Sequence, residues 1–407
     1  MKPGWKKKQL GELAELKGRI GWRGLTAKEY TQAGPLFLSV HSLNYGDYVD
    51  FKDAFYISEE RYVESPEIML QENDVLICKD GAGIGKVGIV GELPARATIN
   101  SSLLLIRSGN EIHPKFLYRC LSSPYFQEIV NSRLNGATTP HLYQRDITEF
   151  PVVLPPLPEQ QRIVGVLDDA FDGIATAKAN AEKNLQNARA LFESHLQSVF
   201  TQRSDGWVDT TLGIEIDLLT GFPFKSAQYT ESDDSVRLLR GDNIIPGSLR
   251  WDDVKKWPAS DTAQYDRYKL FAGDVVLAMD RPWIKAGLKR AQITKEDLPC
   301  LLVQRTARLR GNRSLDNRFL AHLIGSAAFT YHILGVQTGI GVPHISGQQI
   351  KDFQFLKPPL KAQIHIADQL DALVGETKRL YSIYQQKLAA LDELKRSLLN
   401  HAFTGQL

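Results

Sequence analysis

The chain has 407 residues, 24% of them charged and 43% hydrophobic, and a formal net charge of +2. Such a length accommodates two or three domains, and the near-balanced charge excludes a protein that coats nucleic acid by bulk charge, so any nucleic-acid contact must come from local basic surfaces. Cys78, Cys120 and Cys300 stand far apart without CxxC spacing, which argues against a disulfide framework or zinc site and fits a reducing cytoplasm. The basic opening MKPGWKKK has no apolar stretch behind it, and no apolar run approaches the roughly 18 residues of a membrane span. Neither a signal peptide nor a membrane helix is expected, and a cytoplasmic location is.

Gly4-Trp5 is followed by a short strand-like segment and Leu10-Gly11. A variable polar region leads to a core strand, 36–40, and a polar turn ending at Asn44. A turn at Asn73-Asp74 and a β-branched run at 75–77 predict the next strand. A glycine-rich loop, 81–85, precedes predicted strands at 86–90 and 101–107, and a helix pattern covers 114–130. Thr139-Pro140-His141-Leu142 closes this part.

A shift of about two hundred residues finds the same order again. Gly206-Trp207, Leu212-Gly213, a strand at 236–240, a turn ending at Asn243, Gly273-Asp274 before 275–277, a strand at 303–310, a helix at 317–334 and Val342-Pro343-His344-Ile345 correspond in turn. Each part reads as an α+β domain, partly barrel-like.

Each domain leads into a long helical pattern. The first opens PPLPEQQRIV (155–164) and closes LQSVFT (196–201); the second opens PPLKAQIHIA (358–367) and closes LNHAFT (399–404). Apolar or small residues fall at Ile163, Leu167, Ala170, Ile174, Ala177, Ala181, Leu185 and Ala188. The second copy has Ile366, Leu370, Leu373, Thr377, Leu380, Tyr384, Leu388, Leu391 and Leu398. Steps of four and three are a coiled-coil seam, and no internal proline interrupts either copy. At 1.5 Å per residue each helix would be roughly 60–65 Å long. The boundaries expected are 1–154 for the first domain, 155–203 for the first helix, 204–356 for the second domain and 357–407 for the second helix. Antiparallel pairing of the helices as a coiled coil would give approximate twofold symmetry. An ordinary buried helix face, or a seam for another protein's helices, fits the same pattern.

Several features together resemble the specificity subunit of Type I restriction-modification enzymes. They are Gly-Trp near each domain start, Asp-Val-Leu ahead of Asp80-Gly81-Ala82-Gly83-Ile84-Gly85-Lys86-Val87-Gly88, the Pro-Pro-Leu-Pro-Glu-Gln-Gln-Arg-Ile opening of the first helix, and the close at His401-Ala402-Phe403-Thr404-Gly405-Gln406-Leu407. The resemblance covers nearly the whole chain. The second copy departs from it, with Lys361-Ala362-Gln363 where the first has Pro158-Glu159-Gln160, and its loop lacks the glycine series. The resemblance implies two target recognition domains, each reading one half of a split double-stranded DNA site, with the helices setting the gap. It also implies no catalytic centre and no cofactor on this chain. Two adenine methyltransferase subunits, and motor-nuclease subunits for restriction, would be the partners and would carry S-adenosylmethionine, ATP and Mg.

The candidate DNA contacts lie in loops. The glycine loop does not match a P-loop, because its spacing is short and Val87 replaces the hydroxyl. A strand rather than a helix follows it, so a hairpin is expected, with Lys79 and Lys86 facing DNA phosphate or a base edge. Asp280-Arg281-Pro282-Trp283 is similar to an adenine-methyltransferase Asp-Pro-Pro-Tyr site but has arginine in place of the first proline. Arg281, Trp283, Lys285 and Lys289 on a DNA-facing loop are the better reading; Trp283 in the core with solvated charges is the plainer one. Arg305, Arg308, Arg310 and Arg313 cluster on and after a predicted strand, and their excess carries more weight than any one of them. Thr139, Tyr143, Gln144 and Arg145, with Gln348 and Arg240 in the second copy, are further candidates. Asn44 and Asn243 either read adenine or make turns. His141 and His344 read as a repeated turn or cap, without metal-ligand spacing. No Ser-His-Asp, Cys-His or paired-carboxylate constellation stands out. A self-contained adenine methyltransferase or fused restriction enzyme, and a coiled-coil scaffold without a DNA role, are the alternatives.

Overall fold

The structure, a computed structural model, describes residues 3–19, 25–134, 141–201, 204–339, 341–404 and 406. It divides into two compact units, Met1–Glu182 with Gln385–Leu407, and Lys183–Tyr384. In the first, a four-stranded antiparallel sheet runs in the order Ala14–Gly18, Leu103–Ser108, Val75–Cys78, Val87–Ile89. A second sheet places Thr31–Leu38 between Phe55–Tyr56, antiparallel, and Ala97–Ile99, parallel. Lys6–Gln9 pairs with Pro151–Leu154 beside the start of the long helix. The second unit repeats each sheet: Ile216–Thr220, Thr306–Gly311, Val275–Ala278, Arg290–Gln292; then Lys255–Pro258, Ser235–Leu239, Cys300–Leu302; then Val208–Thr211 with Gln354–Lys357.

The repeated sequence signals have repeated physical causes. Val75–Cys78 is buried throughout, as its unbroken apolar run requires. The turn before it is held by Asp74, which is 2% exposed. Its carboxylate accepts the Gln71 N–H at 2.7 Å and both a Nε–H and an NH₂ of Arg107 at 2.7 Å. Asp274 does the same with the Phe271 N–H at 2.8 Å and with Arg310 at 2.7 and 2.8 Å. The Leu-Gly pairs mark close approaches. A Cβ on Gly11 would lie 2.4 Å from the Thr148 methyl, and one on Gly213 would lie 3.0 Å from Lys351 Cβ.

Two sequence expectations need correction. The helix patterns 114–130 and 317–334 are each a helical pair, Pro114–Leu121 with Pro124–Leu134 and Asn317–Ile324 with Ala327–Val336. Pro124 starts a new helix in the first pair. In the second, the chain turns at Gly325 and the Ser326 hydroxyl caps the next helix at the Phe329 N–H. The expected strand 303–310 begins only at Thr306, because Cys300–Leu302 belongs to the other sheet and Arg305 turns between them with φ +67°.

The long helices span Leu157–Thr201 and Leu360–Thr404. Burial follows the heptads: Ile163, Leu167, Ile174 and Leu370 are buried, and Leu185, Ile366, Leu373, Leu380, Leu388 and Leu391 are half-buried. Within each unit the helical segments run antiparallel. In the first, Lys178 pairs with Asp392, and Lys395 Nζ lies 4.8 Å from the Phe171 ring. In the second, the Arg189 guanidinium lies 5.2 Å from the Tyr381 ring.

One glutamine fixes each helix to the domain before it. Gln160 is fully buried; its Oε1 accepts the His113 N–H at 2.8 Å, and its Nε2 donates to Glu111 O at 2.9 Å and Pro155 O at 2.8 Å. Gln363, also fully buried, accepts the Asp316 N–H at 2.9 Å and donates to Ser314 O at 3.0 Å and Pro358 O at 2.8 Å. The far end of the opposite helix completes each core. Phe403 packs 5.1 Å from Phe116 in the first unit, and Phe200 packs 5.3 Å from Phe319 in the second.

Three substitutions test these joints. Gln160→Met orphans a buried N–H and two carbonyls, so it should destabilise the first unit by at least about 2 kcal/mol in denaturant unfolding. The neighbouring Glu159→Ala, which installs the second copy's residue, should cost less than Gln160→Met. Phe403→Ala should cost about 3–5 kcal/mol. Hydrogen exchange should place that loss in the first unit, around Phe116, and leave the second unit's protection unchanged.

Candidate nucleic-acid interface

In the first unit, the glycine loop is the hairpin between Val75–Cys78 and Val87–Ile89. Gly81–Gly83 forms a single helical turn, and Gly81 and Gly85 take φ +79° and +84°. The tight return exposes Lys86, whose Nζ donates to Asn44 Oδ1 at 2.6 Å. Thus the turn after the first core strand and the hairpin meet. The segment that begins at His141 joins them: Asp80 and His141 bridge through the backbone and the two side chains pair, while the Leu142 N–H donates to Lys79 O at 2.9 Å. Tyr143 is 59% exposed, with its ring edge-on to His141 at 4.6 Å. Asn44, Lys79, Lys86 and Tyr143 therefore gather on adjoining loops. Arg145 is exposed on the short helix Gln144–Thr148, while the Gln144 amide donates to Leu16 O at 2.9 Å and ties that helix to the sheet. Thr139 lies outside the described residues.

The second unit builds a cleft of about 410 Å³ from the equivalent loops. Arg240, Arg281, Lys289 and Arg305 line it together with Asp242 and Asp280. Asp280 bridges to His344 as Asp80 does to His141. The Arg281 N–H donates to Pro343 O and the Lys289 N–H to Pro282 O, both at 2.7 Å, which pins the loop between two segments. Arg281 and Arg305 have φ +44° and +67°, backbone conformations that side chains seldom adopt and that concentrate at functional sites. Arg240 pairs with Asp242 at 3.3 Å and Arg305 with Asp280 at 3.6 Å. Lys289 is 9% exposed, and its burial pushes its pKa down.

Other candidates fall elsewhere. Trp283 is 42% exposed on the hairpin Trp283–Ile284/Gly287–Leu288, so it is not a core residue, and it lines a different cavity beside Arg290 and Tyr331. Lys285 is exposed at that hairpin's tip. Asn243 makes the turn. It is 3% exposed, its Oδ1 accepts the Arg240 N–H at 3.0 Å and its Nδ2 donates to Arg250 O at 3.2 Å, so it is spent on the turn rather than presented at the surface. Gln348 donates to Asp352 at 2.7 Å along its own helix. The arginine cluster divides: Arg308 is buried against Asp217, Arg310 braces Asp274, Arg313 is exposed, and only Arg305 faces the cleft. The polar pair Gln304-Arg305, which interrupts an apolar run, is the sequence signal for that turn.

The cysteines take no part. All three are buried, and burial pushes the Cys120 and Cys300 thiols up to about 12, so they stay protonated and inert. Among the described residues, no group of three His, Cys, Asp or Glu side chains could hold a metal ion.

The arrangement suits anion and base-edge contact rather than bond making: cations on loops carried by rigid sheets, with their carboxylate neighbours already ion-paired. Comparison with known proteins agrees. The family model for the Type I restriction modification DNA specificity domain matches residues 2–186. The type I restriction enzyme MjaVIII specificity subunit of Methanocaldococcus jannaschii is 25% identical over 357 residues, 85% of this chain and 81% of that protein. A chain from a structure of complex assembly and conformational transition in the type I R-M system superposes with a TM-score of 0.79 at 19% identity, covering 100% of this chain and 99% of that one. The HsdS subunit of Thermoanaerobacter tengcongensis gives 0.66 at 18% identity, covering 100% and 98%. The duplicated fold, the loops it brings together and these likenesses agree: residues 2–186 belong to the Type I restriction modification DNA specificity domain family, and the chain as a whole is similar to the specificity subunits of type I restriction enzymes.

Proposed function

We propose that each unit reads one half of a split DNA target and that the two long helices set the distance between the halves. The observation that carries this reading is the duplication itself. Two units with the same strand order are each clamped by the same buried glutamine to a helix that starts with two prolines. A single-site binder has no need of a second such unit. Two short half-sites multiply their selectivity, since each mismatched base pair costs about 1–3 kcal/mol, roughly additively.

The helices also serve as the docking surface for two adenine methyltransferase subunits, joined for restriction by motor-nuclease subunits. Those partners bring S-adenosylmethionine, ATP and Mg; this chain brings the address. Purified alone with labelled S-adenosylmethionine and DNA, it transfers no methyl group.

A map of N6-methyladenine in the host genome, with and without this gene, tests the reading. A split motif with a fixed gap should be present only with the gene, and exchange of residues 1–154 for those of a relative should change one half of it. An unchanged map in a host where the methyltransferase subunits are expressed overturns the reading. The spacing role has its own test. Four residues inserted into one helix lengthen it by about 6 Å; at about 3.4 Å per base pair the gap should grow by one or two base pairs. A gap that stays the same would show that the helices do not set it.

A further inference from the structure

The cleft of the second unit contains a charge that the fold does not explain. Lys289 is nine-tenths buried, yet among the described residues its Nζ makes no hydrogen bond or ion pair. Both carboxylates beside it are engaged, Asp242 by Arg240 and Asp280 by Arg305. Burial lowers the Lys289 pKa; Asp242 opposes that, Arg250 and Arg281 add to it, and Asp280 opposes. A lysine whose stem is buried and whose ammonium opens onto a cleft shared with Arg240, Arg281 and Arg305 is unfavourable unless something brings an anion to it. The equivalent lysine of the first unit shows the contrast. Lys86 is exposed and already donates to Asn44, so the need for an anion is specific to the second unit.

The shape of the site selects the anion. Base edges lie at the floor of a DNA groove, and a protein reaches them with elements that protrude. Phosphates form the ridges of the duplex and fit into recesses. Lys289 is recessed, with Arg240, Arg281 and Arg305 around the opening. We propose that this cleft is a phosphate notch: Lys289 receives one backbone phosphate of the half-site bound by the second unit and sets the register of that unit on the duplex. The proposal rests on the DNA-reading function above. It separates positioning, at Lys289, from base reading, which falls to exposed side chains of the same face.

Gly241 offers an independent handle. A Cβ there would lie 3.9 Å from Lys289 Nζ and meet nothing closer. Gly241→Asp would thus supply an internal carboxylate to the lysine and close the notch without disturbing the core.

The test uses the chain assembled with its methyltransferase subunits, a duplex carrying its own methylation motif, and a duplex without that motif. Lys289→Met should weaken binding to both by the same factor, about tenfold. It should also reduce the slope of log affinity against log salt by about one. Single phosphates are then replaced by uncharged methylphosphonates. One position in the second unit's half-site should cost the wild-type complex affinity and cost the Lys289→Met complex nothing. Gly241→Asp should reproduce the loss while its unfolding midpoint stays level or rises, which keeps the test open if Lys289→Met assembles poorly. If Lys289→Met alters the preferred bases while every phosphate keeps its effect, the lysine reads a base and the notch is wrong. The notch is equally wrong if affinity, salt slope and phosphate scan all stay at wild-type values. A wild-type complex with no preference between the duplexes would instead sink the DNA-reading function on which the notch depends.

Discussion

Everything else in this architecture depends on how a helix leaves a domain, and one buried side chain settles that twice. A glutamine amide offers two donors and an acceptor on one rigid plane. Gln160 and Gln363 spend all of this on backbone groups of the preceding domain and of the Pro-Pro opening. The helix start and the domain therefore share one hydrogen-bond network, with no solvent in which to slip. Neighbouring positions are free to diverge. Glu159, half-buried, pairs with Arg162, and Ala362 takes its place in the second copy while the glutamine network stays the same. What the two copies share at the joint is the glutamine and the two prolines before it.

A second layer of contacts stiffens each joint, and here the copies use different chemistry for the same purpose. In the first unit, Arg119 spans Asp47 and Asp168 at 2.7 Å each, and Tyr118 donates to Asp47 at 2.8 Å, which ties a loop, a short helix and the long helix together. In the second unit, His322 stands in place of Arg119 and meets Asp371 at 2.7 Å, while Arg318 supplies the charge to Asp368 and Asp371 at 2.7 and 3.3 Å. Burial lowers the His322 pKa, so this contact works as a neutral imidazole hydrogen bond, and the permanent charge sits one turn away on an exposed arginine. A joint can thus be preserved while its charge is redistributed.

Much of this was legible in the chain because it is periodic or duplicated. The three-and-four spacing from Ile163 to Leu398 makes long helices the only economical reading, and the repeated Gly-Trp, Leu-Gly and Asp-Val signals mark equivalent turns. What was not legible depends on single backbone angles and on distant partners. The turn at Arg305 divides one apolar run between two sheets. The sign of φ at Arg281 and Arg305 decides which cations face the cleft. Pattern alone also treats Lys86 and Lys289 alike, although one is exposed and the other buried, because the difference comes from loops far away in sequence. The arginines are the clearest case: four in a row read as one basic surface, and two of them are internal counterions.

The exchange of helix ends bears on how the protein is made. The second unit is one uninterrupted stretch, Lys183–Tyr384, so all its partners are available once that stretch has left the ribosome. The first unit lacks Leu399, Ala402 and Phe403 until the second unit has been synthesised. During translation, the domain born first must therefore wait with an apolar face around Phe116 uncovered, while the domain born second can close immediately. For this chain, order of birth and order of completion run in opposite directions. The window of exposure lasts as long as a ribosome takes to read the second unit, and a slow codon there would lengthen it.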